Sequence, residues 1–349
     1  MLPSVSKPKH EESELIHFDL STPEYDQDTY MGRFLTFLQT QNPLLTFATT
    51  SKIHAAQNTL AEYEAQRQIA INKDNIYKIT RTKAKELREA QYLISSCVHP
   101  DTNKILAPWQ RFCSYSVFNI PIGFGLLLCE QTVAAIIFWQ CINQTYNAVL
   151  NYSNRNASSN SDTKGLLKAY CAAVICSITI GLLVKALLSP YFAYFEGSTQ
   201  HFFSFLISLS ACGSAGVANV LIMRASEMKE GIALTDAKGN EFGKSPIIGK
   251  NAVIKTALSR IFLPILPLLL PTLTFFLMET IGLVPEDILT KIMIESMVIF
   301  LSLSFAPPIG LAIFKQKNKV PVTGLEMKFH NLVDSDGKRI TELYYNKGL

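Results

Sequence analysis

Apolar and polar positions divide the chain unevenly. Residues 1–111 mix charged and apolar positions, whereas residues 112–315 are dominated by long apolar runs. Five runs lie near Phe112–Leu128, Leu166–Leu188, Phe202–Met223, Ile261–Leu283 and Ile292–Phe314. Each approaches the roughly 20 residues a helix needs to cross a bilayer. A sixth, Thr132–Leu150, starts apolar and becomes rich in amides; it spans only if its polar face meets protein or water. Upstream, Thr46–Arg88 repeats apolar residues at helical spacing (Ile53, Leu60 and Tyr63, then Ile69, Ile71 and Ile76), which predicts an amphipathic helix or helix pair. The expected fold is an all-α multi-pass membrane protein with five transmembrane helices, or six if Thr132–Leu150 crosses. It carries a soluble helical N-terminal region (1–111), a transmembrane domain (112–315) and a soluble C-terminal tail (316–349).

Inside the spans, Ala211, Gly213, Ser214, Ala215, Gly216 and Ala218 form a run of small residues, which predicts a face for close helix packing. Pro264, Pro267 and Pro271 predict a kinked or broken helix, and Pro307 and Pro308 the same in the last run. Broken helices bare backbone polar groups at membrane depth, where only protein or a wet cavity tolerates them. That favours a transporter over a plain anchor.

The loop between Arg224 and Arg260 holds GIALTDAKGNEFGKS, which alternates around Lys238-Gly239-Asn240 and predicts a short β-hairpin. Its end is a near miss for a phosphate-binding loop. Three residues separate Gly239 from Gly243, where the motif needs four. No nucleotide site is expected, so a gradient or exchange would drive any transport. The loop carries seven Lys/Arg against four Asp/Glu, and the tail is basic too. Both are expected in the same, more negative compartment. Six spans would put the N-terminus with them; five would put it opposite.

Composition agrees. Charged residues make up 17% of the chain, against about 25% in soluble domains. The net charge of +4 is spread out, and no basic stretch interleaves with stacking aromatics, so no nucleic-acid partner is expected. The N-terminus has neither the apolar core of a secretory signal nor the Arg-rich pattern of a cleaved presequence, so any address is internal. The seven cysteines form no CxxC pair and mostly lie in apolar segments, as small buried hydrophobes do. No metal cluster, cofactor fingerprint or nucleophile–base pair stands out. No metal, no cofactor and no enzyme activity are expected.

The candidate chemistry is in WQCINQTYNAVLNYSNRN, residues 139–156, with five asparagines, two glutamines and an arginine. Asn143, Asn151 and Asn156 each open a glycosylation sequon, which would matter only on a secreted face. Gln140, Asn143, Asn147, Asn151 and Asn154 step by three or four and share one helical face. Amides both donate and accept, so this face suits a zwitterion. The alternative is that the amides only tie helices together, each worth about 1 kcal/mol in membranes. The candidate substrate contacts are Asn143, Gln144, Asn147, Asn151 and Asn154, with Arg155 at the end of the stripe placed to attract a carboxylate. Arg224 and Arg260 are further carboxylate contacts, or interface anchors, with Glu227 a structural partner for Arg224. His99, Pro100, Asp101 and Thr102 lie just before the first run. The proline turns the chain, and Asp101 and Thr102 suit an N-cap. His99 with Asp101 suits a gate; as a metal site it is only half a ligand set.

Several blocks now point to a family. His99-Pro100-Asp101-Thr102 matches the HPDT signature of the sideroflexins. FWQCINQ and NAVLNYSNRN resemble that family's FWQWINQ and NYTNRN blocks, with Cys141 in place of a tryptophan. LIMRASEMKEGIALTDAKGNEFGKS, TALSRI, FAPPIGLAIFKQ and FDLSTPEYDQDTYMGRFLTFLQTQNPLLTF match in the same order, and DGKRITELYYNKGL looks like the fungal branch. The resemblance covers residues 16–349. It implies a mitochondrial inner-membrane protein, generally described with five spans and no cleaved presequence. It further implies amino-acid transport into the matrix, serine for one-carbon metabolism first, with alanine, cysteine and glycine as related substrates. Other members are linked to iron homeostasis or to assembly of respiratory complexes, so inner-membrane complexes are an alternative partner class. For iron carriage the spans offer little beyond Glu130, Glu279, Glu295 and scattered cysteines. In mitochondria the three sequons would be idle.

Overall fold

The computed structural model describes residues 15–73, 77–99, 102–154, 163–192, 194, 198–236, 239–313, 315, 317–333 and 339–346. The chain divides into two units: residues 1–115 with 153–158, and residues 116–152 with 159–349.

The first unit is helical with one small sheet. Strand β1 (Leu15–His17) is followed by α1 (Tyr30–Thr40), α2 (Thr50–Ile71), β2 (Lys78–Thr80) and α3 (Arg81–Cys97). The strands pair antiparallel. Each helix starts on a threonine whose hydroxyl accepts a first-turn N–H: Thr29 from Gly32, Thr49 from Lys52 and Thr80 from Lys83. The core gathers Ile53, Ala56, Leu93, Cys97 and Val98, with Tyr63, Ile79 and Leu87 beside it. The expected helix pair is α2 and α3, divided by β2; Ile69 and Ile71 lie exposed rather than in the core. Ile76 falls outside the described residues.

The second unit is a helical membrane domain with a small four-stranded β-domain assembled from a mid-chain hairpin and the C-terminal segment. Its helices are α4 (Tyr115–Phe118), α5 (Ile120–Leu127), α6 (Val133–Ser153), α7 (Thr163–Phe192), α8 (Ser198–Met223) and α9 (Ala225–Glu230). After β3 (Ile232–Thr235) and β4 (Glu241–Ser245) come α10 (Pro246–Phe262), α11 (Ile265–Thr280), α12 (Ile288–Ala312), β5 (Lys317–Pro321) and β6 (Glu342–Asn346). Among the described residues, four apolar segments are long enough to cross a bilayer: Lys164–Phe192, Gln200–Met223, Pro246–Thr280 and Ile288–Ala312. They hold four of the five expected spans and make this a multi-pass helical membrane protein.

The remaining run, Phe112–Leu128, is a 3-10 turn (Phe112–Ser114) followed by the short α4 and α5. Pro121 stands in the first turn of α5, where its missing N–H costs nothing. Gly125 lets the Trp139 ring lie directly on the α5 backbone; a Cβ there would sit 1.9 Å from the ring. The sixth run, Thr132–Leu150, lies in α6 from Val133 onward, one continuous helix of 21 residues.

The proline-rich run also breaks where expected. α10 ends at Phe262, and Pro264 caps α11. The last run differs: α12 continues through Pro307 and Pro308 to Ala312. The small residues on α8 pack as expected. Gly216 faces Arg260 and Gly213 faces Ile261, both on α10, while Ala211 meets Gly181 of α7.

The hairpin is present: β3 and β4 pair antiparallel, and Gly239 takes φ +93° in the turn between them. It does not stand alone. The order β4-β3-β6-β5 shows that the C-terminal tail completes the sheet. Leu234, Ile248, Val322, Leu325, Phe329, Ile340 and Leu343 bury a common core beneath it.

Candidate functional site

Helix α6 positions the amides. Its period brings Gln140, Asn143 and Gln144 inward, all buried, while Asn151 is exposed. Three contacts fix the neighbours. Gly181 of α7 approaches Ile136 of α6 and Ala211 of α8 closely: a Cβ at Gly181 would lie 3.3 and 3.4 Å from their side chains. Thr145 and Tyr170 share a hydrogen bond at 3.0 Å between α6 and α7. These two contacts set α6 and α7 antiparallel. The third contact joins α6 to α8, where Asn143 Nδ2 donates to Cys212 Sγ at 3.3 Å.

The amides are therefore enclosed but loosely tied. Asn147 Nδ2 donates to Asn143 Oδ1 at 3.4 Å, at the long end for such a bond. Gln140 is 1% exposed, and its Oε1 has no hydrogen-bond partner among the described residues. A buried acceptor left unmade costs about 1–3 kcal/mol, and such groups in native proteins call for an explanation. Chemically, this face can offer donors to a carboxylate and an acceptor to an ammonium or hydroxyl.

The other candidates lie elsewhere. Asn154 donates to the Gln110 carbonyl at 2.9 Å, within the first unit. Arg155, Pro100 and Asp101 fall outside the described residues. His99 is buried in a tight turn: its N–H donates to the Lys104 carbonyl, its carbonyl accepts from Asn103 N–H, and its Nδ1 accepts from Thr102 N–H at 3.4 Å. Val98 and Ile105 bridge just outside that turn. Arg224 is held by Glu227, with Nη2 to Oε2 at 2.6 Å, and donates to Thr256 Oγ1 at 3.1 Å. Arg260 packs its stem on Gly216. Cys212 is the partner that periodicity on α6 could not reveal. It stands beside Ala211 in the run of small residues, and that adjacency is its one sequence signal.

With this geometry in view, the comparisons with known proteins are specific. The family model described as sideroflexins matches residues 19–349. This chain belongs to the sideroflexin family. It is 32% identical to Sideroflexin-5 of Rattus norvegicus over 95% of this chain and 92% of the relative. It is 33% identical to the sideroflexin of Dictyostelium discoideum, over 95% and 98%. It is 30% identical to a sideroflexin of Saccharomyces cerevisiae, over 95% and 97%. No solved structure matches. The sideroflexin match runs through the HPDT motif, the amide helix and the tail that completes the β-domain.

Proposed function

We propose that this sideroflexin is a secondary transporter of small neutral amino acids, serine first, in the mitochondrial inner membrane, with its path along the inward face of α6. The observation that carries the reading is the buried Gln140 Oε1, which has no partner among the described residues, beside an Asn143 whose amide rests on a thiol and on one long hydrogen bond from Asn147. Serine brings an ammonium and a hydroxyl that donate and a carboxylate that accepts. Gln140 Oε1 would take a donor, and the Asn143 and Asn147 amide nitrogens would bind the carboxylate. Alanine, glycine and cysteine share the zwitterion and differ in the side chain, so they should compete. Gln144 lines the same buried face, and Asn151 the continuation of the path toward the helix end.

The test is uptake of radiolabelled serine into vesicles holding only the purified protein. Saturable uptake, competed by unlabelled alanine and lost in Asn147→Leu at unchanged abundance, is expected. Folded protein with no uptake above empty vesicles would overturn the reading in favour of an assembly or scaffold role in inner-membrane complexes.

A further inference from the structure

We infer that the first unit rides on the bilayer interface, inserting an apolar patch made of Leu44, Phe47, Trp109 and Phe112. The inference stands independently of the substrate.

The patch comes from two segments about sixty positions apart in the chain. One is the 3-10 turn Pro43–Phe47; the other is the pair of 3-10 turns Pro108–Gln110 and Phe112–Ser114. Both segments point large apolar side chains outward. Leu44 is 76% exposed, Phe47 71%, Trp109 53% and Phe112 44%. Such a cluster on a water-facing surface marks a contact site.

The scaffold behind the patch is rigid. Arg111 is buried between the two segments at 3% exposure. Its guanidinium donates to the carbonyls of Leu45 (3.3 Å), Thr46 (2.8 Å), Ala48 (3.1 Å) and Leu106 (3.1 Å). Thr46 Oγ1 reaches the Cys113 carbonyl at 3.5 Å. Burying a cation is costly unless it is fully hydrogen-bonded, and here it is spent on holding two exposed apolar turns side by side.

Chain continuity identifies the occupant as lipid. The apolar stretch Tyr115–Leu127 begins three residues after Phe112. Asn154, one residue beyond α6, donates to the carbonyl of Gln110, next to Trp109. Along the chain, the patch thus adjoins both the start of the apolar stretch Tyr115–Leu127 and the end of α6. Tryptophan concentrates at the bilayer interface. Lys52 and Lys104, both exposed on the flanking segments, add attraction to anionic headgroups.

Trp109 and Trp139 are the chain's two tryptophans, so emission can be assigned. The Trp139→Phe variant of the full chain is reconstituted in vesicles of ordinary phospholipid, or of phospholipid brominated high on its acyl chains. Trp109 should lose most of its emission in the brominated vesicles and resist aqueous iodide. Should Trp139→Phe fail to fold, the wild-type minus Trp109→Phe difference gives the same reading. Equal emission in both lipids with strong iodide quenching would overturn the proposal, since the patch would face water. Shielding from both quenchers would also overturn it, since protein would then cover the patch. Adding Leu44→Glu and Phe47→Glu should restore iodide access and shift the emission to the red; unchanged quenching would remove those two residues from the contact.

Discussion

The thiol of Cys212 on α8 takes its hydrogen bond from the side-chain amide of Asn143 on α6 at 3.3 Å. Sulfur is a weak acceptor, so the bond positions Asn143 without committing it. A substrate carboxylate is a stronger acceptor and would outcompete the thiol. Asn143→Leu should therefore abolish serine uptake, whereas Cys212→Ala should keep most of it, because the amide nitrogen remains. Transport assays on both variants at matched abundance check this; equal loss in the two would mean the pair acts as a structural tie.

Gln140 separates function from folding by the sign of its effect. Its buried Oε1 lacks a partner among the described residues, so Gln140→Leu removes an unsatisfied acceptor whose burial costs about 1–3 kcal/mol. The variant should melt at the wild-type temperature or above while losing uptake. A lower melting temperature would show that the glutamine serves packing.

The four long apolar segments and the small-residue face of α8 were legible because both signals are local: one is a run, the other a spacing. The amide face of α6 was legible for the same reason. What it touches was not, since Cys212 lies 69 residues away. The hairpin was readable from its turn residues, yet its union with the tail was not, because Thr235 meets Tyr344 across 109 residues. The segment Phe112–Leu128 is as apolar as a span, and its composition gave no sign that Trp139 would be laid against Gly125. His99 read as a gate by residue type; its local hydrogen bonding, with Thr102 N–H donating to Nδ1, was not readable from that type.

Two glycines on α8 should respond differently to alanine. A Cβ at Gly216 would lie 2.9 Å from Cβ of Arg260, close enough to force α8 and α10 apart. At Gly213 the nearest atom, Cα of Ile261, is 3.6 Å away, an ordinary contact. Gly216→Ala should cost about 1–3 kcal/mol, as overpacking does, and Gly213→Ala should be tolerated. Melting of the two variants in detergent decides; a tolerated Gly216→Ala would mean the helices slide apart freely.

Glu326 ties the C-terminal tail to the start of α10 and makes that junction sensitive to acid. Its carboxylate accepts from Ser245 Oγ at 2.8 Å and from Ile247 N–H at 3.2 Å. Partial burial pushes its pKa up, but its own N–H, Ser245, Ile247 and the nearby Lys328 outweigh that and hold it below the usual value of 4.5. A carboxyl lowered in the folded state adds stability that is present above the unfolded value and lost as pH falls through the folded one. The β-domain should therefore weaken below about pH 4.5. Hydrogen exchange of β3 and β6, compared between neutral pH and about pH 3, should show protection falling in the wild type. Glu326→Gln keeps the shape but loses the charge. It should begin less protected at neutral pH and change less on acidification, and an acid response as steep as the wild type's would place the titrating group elsewhere.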